Sequence, residues 1–220
     1  IGVDNLSAHI VLNHLTDNNI HLLIKKLSLT DKSGLQLKDL SFRLDADKRH
    51  AKLSQFHLAL PHSELKLDDI LATYRTDEKG KLISESLQFE GGISPSRITL
   101  ADVACFAPVL RKWNDVLYLS TRFRGTSTSL SVNPFTLKTQ SGSLQLKAQA
   151  KVADWGKLPR WKATIEKLQV SDEGMKLIAT NLGSKAKIPE QVLRLGNLYY
   201  KGVASGRGVR DIASRGELHT

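Results

Sequence analysis

The chain has 220 residues, a formal net charge of +10 and a single cysteine, Cys105. One thiol excludes an internal disulfide and a cysteine-based metal cluster, and no run approaches the roughly 18 apolar residues of a membrane-spanning helix. Lys and Arg are dispersed singly between apolar residues and aromatics make up only 6%, whereas nucleic-acid readers concentrate basic charge and expose aromatics; no nucleic acid is an expected partner.

The sequence opens mid-pattern at IGVDNLSAHIV and closes on RGELHT, so a single β-rich segment, 1–220, of a longer protein is expected. Along the first third, apolar residues alternate, skip one place and resume: Leu22, Ile24, Leu27, Leu29, then Leu35, Leu37, Leu40, Phe42 with Leu44 after them. Ala51, Leu53, Phe56, Leu58 follow with Leu60 beyond, then Leu65, Leu67, Ile70, Ala72. The pattern returns at Leu130, Val132, Phe135, Leu137 and at Ala163, Ile165, Leu168, Val170. Met175, Leu177, Thr180, Leu182 and Leu193, Leu195, Leu198, Tyr200 bring the copies to eight.

Successive side chains of a strand point to opposite faces, so a half-buried strand should keep one parity. An extra residue in mid-strand, a β-bulge, resets the parity while the strand bends. A bulge at Lys38-Asp39 would let Leu35, Leu37, Leu40, Phe42 and Leu44 share one face; two short strands meeting at a corner is the competing reading. Spacings of 2, 3 and 2 fit strands better than an amphipathic helix.

Between the runs, residues 30–34 (TDKSG), 76–80 (TDEKG) and 171–174 (SDEG) read as hairpin turns closed by glycine. Pro61 and Pro134 should mark strand ends or interruptions. Residues 99–113, TLADVACFAPVLRKW, carry Val103, Phe106, Ala107, Leu110 and Trp113 at helical spacing. A short helix is expected there, inside an insertion of about 94–114, with Thr99 and Asp102 resembling a capping box. A second helical turn is expected around 189–193. The fold class is therefore mainly β, an elongated, curled antiparallel sheet with one short helix.

Catalytic motifs are weak. Ser63-Glu64-Leu65-Lys66 and Ser184-Lys185-Ala186-Lys187 match S-x-x-K without its companion elements. Gly206-Arg207-Gly208 lacks the remainder of a phosphate loop and reads as a turn. The histidines show no metal-ligand spacing; His57 and His62 flank Pro61, with no carboxylate in the local sequence to complete a site. Asp45, Asp47, Asp68 and Asp69 read as turn chemistry. No enzyme, cofactor or metal is expected.

Residues 93–150 carry I-x-P-S-x-I-x-L-x-D, then F-x-P-x-L, a strand, Arg124-Gly125-Thr126 and a strand pair. With SGLQLKDLSFRLDADKRHAKLSQFHLALPHSELKLDD and LRLGNLYYKGVASGRGVRDIASRGELHT, these stretches resemble the AsmA-like superfamily, and within it the TamB family of translocation and assembly modules. The resemblance implies a β-groove in the periplasm, attached to the inner membrane through a segment outside this chain. It also implies phospholipid transport towards the outer membrane, with an outer-membrane β-barrel assembly protein as a possible partner. The groove residues would be Leu35, Leu37, Leu40, Phe42, Leu44, Leu53, Phe56, Leu58, Leu60, Leu65 and Leu67. A strand-addition scaffold and a closed sandwich or barrel core built from the same leucines are the competing readings.

Overall fold

The computed structural model describes residues 3–15, 19–31, 36–103, 115–155, 158–176, 196–208 and 211–220. The alternating runs form a single antiparallel sheet of thirteen strands. In chain order these are β1 (Val3–Leu15), β2 (Ile20–Asp31), β3 (Gln36–Ala46), β4 (His50–Ala59), β5 (Glu64–Lys66), β6 (Ile70–Thr76) and β7 (Leu82–Thr99). They continue with β8 (Val116–Thr126), β9 (Ser129–Thr139), β10 (Leu144–Ala153), β11 (Arg160–Val170), β12 (Leu198–Arg207) and β13 (Asp211–His219). Sheet order follows chain order; β5 and β6 share one position between β4 and β7.

The parity slips are bulges. Between β2 and β3 the register steps from Ile24↔Phe42 to Leu27↔Leu40, leaving an extra residue at Lys25-Lys26. It then steps from Leu27↔Leu40 to Leu29↔Leu37, leaving the extra residue on β3 at Lys38-Asp39. On β4 the step from Ser41↔His57 to Arg43↔Ser54 isolates Gln55, whose φ is 54°. On β9 both neighbours step over Asn133-Pro134, a position where the missing N–H of proline costs no ladder bond. On β11, β12 steps over Glu166-Lys167 and β10 steps over Glu166 alone.

The Leu65–Ala72 copy takes the corner form: β5 and β6 are separate short strands that both pair with β4. The strands between bulged ones keep plain alternation, as in Leu117, Leu119, Thr121, Phe123 of β8 and Leu144, Leu146, Ala148, Ala150 of β10. One bulge lacks a sequence signal of this kind. On β7 the register steps from Ile93↔Thr121 to Ser96↔Leu119 around Ser94-Pro95, where Ser96 replaces the apolar residue that would reveal the slip.

Three local expectations need correction. Residues 94–99, placed in the helical insertion, are the end of β7, and Leu100–Val103 form a 3-10 helix; 104–114 lie outside the described residues. Thr99 and Asp102 form no capping box, because the Asp102 carboxylate reaches across to the backbone N–H of His62 at 2.8 Å and to the Ser63 hydroxyl at 2.7 Å. Residues 171–174 are no hairpin turn: 172–176 are helical, and Ser171 Oγ accepts the Gly174 N–H at 3.1 Å as an N-cap. Met175 is thus a buried helical residue rather than a strand position. The rest of that copy, Leu193, Leu195 and the turn at 189–193 lie outside the described residues, as does most of 30–34. The 76–80 turn is as expected, with Asp77 Oδ1 accepting the Lys79 and Lys81 N–H groups and Gly80 at φ 77°.

Among the described residues no second layer covers the sheet. The buried apolar residues are Ile24, Ala148, Val170 and Met175, and no large side chain falls below 2% exposure. The chain exposes 14535 Å², against about 10,000 Å² for a compact protein of its mass. Among the described residues no closed sandwich core forms. β1 and β13 are the two ends of the strand order and do not pair, so the sheet is no closed barrel either.

Gln55 tests the bulge geometry. A non-glycine residue in the left-handed region costs about 1–2 kcal/mol, so Gln55→Gly should be stabilising by about 0.5–1 kcal/mol after glycine's entropy cost. Gln55→Val should be destabilising by more than about 1 kcal/mol. Urea unfolding of the three proteins checks both signs, and a Val variant as stable as the parent would remove the bulge from β4.

Candidate functional site

Because the bulges restore parity, apolar side chains line up from strand to strand on one face. One row runs Ala8, Leu27, Leu40, Leu58, Leu65 across β1 to β5. It resumes beyond Ser96 as Leu119, Leu137, Leu146, Leu168, Tyr200 and Leu218. Another runs without a break from Ile20 on β2 through Ala46, Ala51, Ala72, Phe89, Gly125, Leu130, Val152, Trp161 and Gly206 to Ile212 on β13. Its glycines lie beneath neighbouring rings: a Cβ on Gly125 would fall 2.7 Å from Phe89, and one on Gly206 would fall 2.8 Å from Trp161.

Leu37, Leu40, Phe42, Leu44, Leu53, Phe56, Leu58, Leu60, Leu65 and Leu67 are all half-buried; Leu35 lies outside the described residues. The structure brings most of them together. Leu40 opposes Leu58, Leu58 opposes Leu65, Leu44 opposes Leu53, and the Phe42 and Phe56 rings stack at 6.4 Å between centroids. Leu37 joins them through Leu29, and Leu67 bridges to Ile93. Apolar side chains at the sheet margins stand further out, with Leu6 at 65% and Ile212 at 60% exposure.

The opposite face is polar. It carries two adjoining depressions of about 1010 and 920 Å³ over β6–β11. Their walls include Glu90, Arg124, Ser131, Lys151 and Lys162, which form one cross-strand row offset by a residue from the apolar rows. These two depressions therefore lie on the face away from the leucines.

The histidines gather carboxylates both near and far in sequence, and Glu64, seven residues after His57, corrects the expectation that no local carboxylate joins that site. His57 Nδ1 is 3.0 Å from Asp39 and Nε2 is 3.0 Å from Glu64. His21 meets Asp45 at 2.7 Å, His50 meets Asp47 at 3.3 Å, and His62 meets Asp102 at 3.1 Å. Partners 18 to 40 residues away become visible only once the strand register is known. Asp47 is a turn residue as expected, accepting the Arg49 and His50 N–H groups, whereas Asp45, expected in a turn, lies within β3 and accepts from Arg43.

Ser63, His62 and Asp102 bring together the residue types of a hydrolytic triad. The arrangement is wrong for one. Asp102 is the hub, bonded to both the serine and the histidine, whereas a triad needs the histidine between serine and carboxylate. Ser63 Oγ is also engaged by the Thr99 N–H at 2.9 Å and is buried. The S-x-x-K reading fails too, since Lys66 pairs with Glu64 at 3.0 Å. Among the described residues no cluster of three or more His, Cys, Asp or Glu could hold a metal.

The Asp102 side chain is 5% exposed. Burial pushes its pKa up, but hydrogen bonds from Ser63 and His62 outweigh that, so it sits below the ordinary 3.8. A depressed carboxylate pKa adds stability above the unfolded value, and this is lost as pH falls through the folded one. Asp102→Ala, which strands the Ser63 and His62 donors, should cost about 2–4 kcal/mol at pH 7. The gap to the parent should narrow below pH 3.8 in paired urea titrations; a gap that widens on acidification would contradict the hub.

No family model, curated protein or solved structure matches the chain.

Proposed function

We propose that this chain is a non-enzymatic β-sheet segment that binds phospholipid acyl chains along its apolar face and conducts them between membranes. The observation that carries the reading is the set of apolar rows that no other described residues cover across the sheet. Each methylene withdrawn from water contributes about 0.8 kcal/mol, so acyl chains laid on such rows would be held while their head groups stay in solvent. The rows offer no polar atom aimed at a particular ligand group, which suits a cargo that must slide. The AsmA-like resemblance supplies the setting: a periplasmic segment of an inner-membrane-anchored protein that serves outer-membrane biogenesis, with the apolar face curled into a groove.

Photo-crosslinkers at Phe42 and Leu58, on the apolar face, should capture phospholipid in cells. Crosslinkers at Arg43 and Lys52, on the opposite face, should give only background. Equal labelling from both faces, or none from either, would sink the reading.

A second reading, a scaffold for an outer-membrane β-barrel assembly protein, draws on the margin of the sheet. β1 runs for 13 residues, VDNLSAHIVLNHL, without a Lys, Arg or Pro to discourage pairing. A partner strand could add there through main-chain hydrogen bonds. In a Cys105→Ser background, disulfide trapping from Asn5 or Ser7 should yield a protein adduct under this reading. Trapping no partner at β1 while lipid crosslinks persist would leave the lipid reading alone.

A further inference from the structure

The polar face holds an arrangement that lipid binding on the opposite side does not use. The cross-strand row Glu90, Arg124, Ser131, Lys151, Lys162 places Lys151 directly opposite Lys162 on adjacent strands, about 5 Å apart. Arg122 stands beside them in the second depression. Like charges facing each other across a ladder are destabilising, and nearby cations usually recruit carboxylates. Others in this sheet do: Lys147 pairs with Glu166 at 2.7 Å, Arg160 with Asp154 at 2.8 Å and Lys52 with Asp69 at 2.7 Å. Arg122, Arg124, Lys151 and Lys162 form no ion pair among the described residues, and all four are exposed. These four cations line two adjoining depressions of about 1010 and 920 Å³, Arg124 facing Glu90 across the ladder and Asp68 and Asp69 standing on the β5–β7 side of the second, so that positive charge is left uncompensated towards β9–β11.

We infer that this face is a binding site for a phosphorylated polyhydroxyl compound carrying at least two phosphate groups. The cations supply charge-assisted hydrogen bonds, and Arg122 and Arg124 offer planar forks that match phosphate oxygens. Ser131 and Gln149 sit among them and supply neutral donors and acceptors suited to hydroxyl groups. Glu90, at the end of the row, accepts from a hydroxyl and repels a phosphate, which confines the anionic groups to β8–β11. Among the described residues the polar-face neighbours of the four cations include Ser, Asn, Gln and Thr, while the aromatic residues of the depressions, Phe89, Phe123 and Trp161, have the strand parity of the apolar face and are not placed to stack a nucleobase. The volume of the larger depression suits one or two sugar-sized rings.

The test uses myo-inositol hexakisphosphate as the probe, with calorimetry and thermal unfolding at physiological salt. The parent chain should bind it saturably at one site and gain thermal stability. Arg124→Gln and Lys162→Gln should each weaken binding about tenfold or more, whereas Lys79→Ala/Lys81→Ala, in the distant β6–β7 turn, should leave it unchanged. Lys162→Gln should also raise the melting temperature of the free protein, because it removes a repulsion; a merely structural lysine would lower it. Co-sedimentation with phosphatidylcholine vesicles, with and without phosphatidylinositol bisphosphate, separates the sources. Selective capture by the phosphorylated vesicles assigns a lipid-borne head group, and binding of the free probe alone assigns a soluble one. Non-saturating binding, equal loss in the turn variant, or duplex DNA bound as tightly through the same residues would overturn the inference.

Discussion

An apolar row can cross a sheet only when neighbouring strands agree on which residues share a face. Every strand obeys a two-residue period, yet here bulges occur on β2, β3, β4, β7, β9 and β11, with the 68–69 corner at the β5–β6 position. Without the extra residue on β9, for example, Leu130 and Val132 would turn to the polar side while Phe135 and Leu137 stayed. With it, Val132 meets Ala150 and Leu137 meets Leu146 on the same face. The straight strands β8, β10 and β12 take their partners' offset without one of their own, so parity is restored at the bulges instead of being lost progressively across the sheet.

That constraint sorts the chemistry of the molecule. Most apolar side chains are delivered to one side, with exceptions such as Leu23, Leu71 and Val203, and much of the +10 charge is left to the other side and to the turns. At two places a single carboxylate gathers buried polar groups. Asp102 ties the end of β7 to the 62–63 turn. Asp115 accepts from Val116, Ser141 and Ser143 and pins the β9–β10 turn. Burial raises the pKa of Asp115, but these donors bring it below the ordinary value. Among the described residues both hubs are engaged by backbone and hydroxyl donors, which fastens the turns to the strands.

Much of the fold was legible because the bulges break parity among strongly apolar residues. Leu37-x-x-Leu40 and Phe135 after Val132 record their bulges in sequence. The bulge at Ser94-Pro95 was not legible, since Ile93 is followed by Ser96 and the skip leaves no apolar trace. SDEG was misread because its serine can cap a helix as well as open a turn; the choice depends on Met175 finding a buried place, a tertiary fact. The apolar surface was visible as residues, but its freedom from a covering layer was not, since a sandwich core would carry the same leucines. Asp39 beside His57, Asp102 beside His62 and the facing lysines 151 and 162 required register across 11 to 40 residues of sequence.

The absence of a shared core also sets how such a molecule comes apart. When each strand is held chiefly by the two beside it, stability behaves as a sum of nearest-neighbour terms, as in a linear repeat array. Damage at one strand then stays local, and opening begins at the margins, β1 and β13, where only one neighbour exists. Hydrogen-exchange protection would therefore form a gradient rising from both margins towards β7–β9, instead of the single plateau of a cooperative globule. The middle of the sheet is its stiffest part, and a sheet of this kind could be lengthened strand by strand without redesigning the strands already in place.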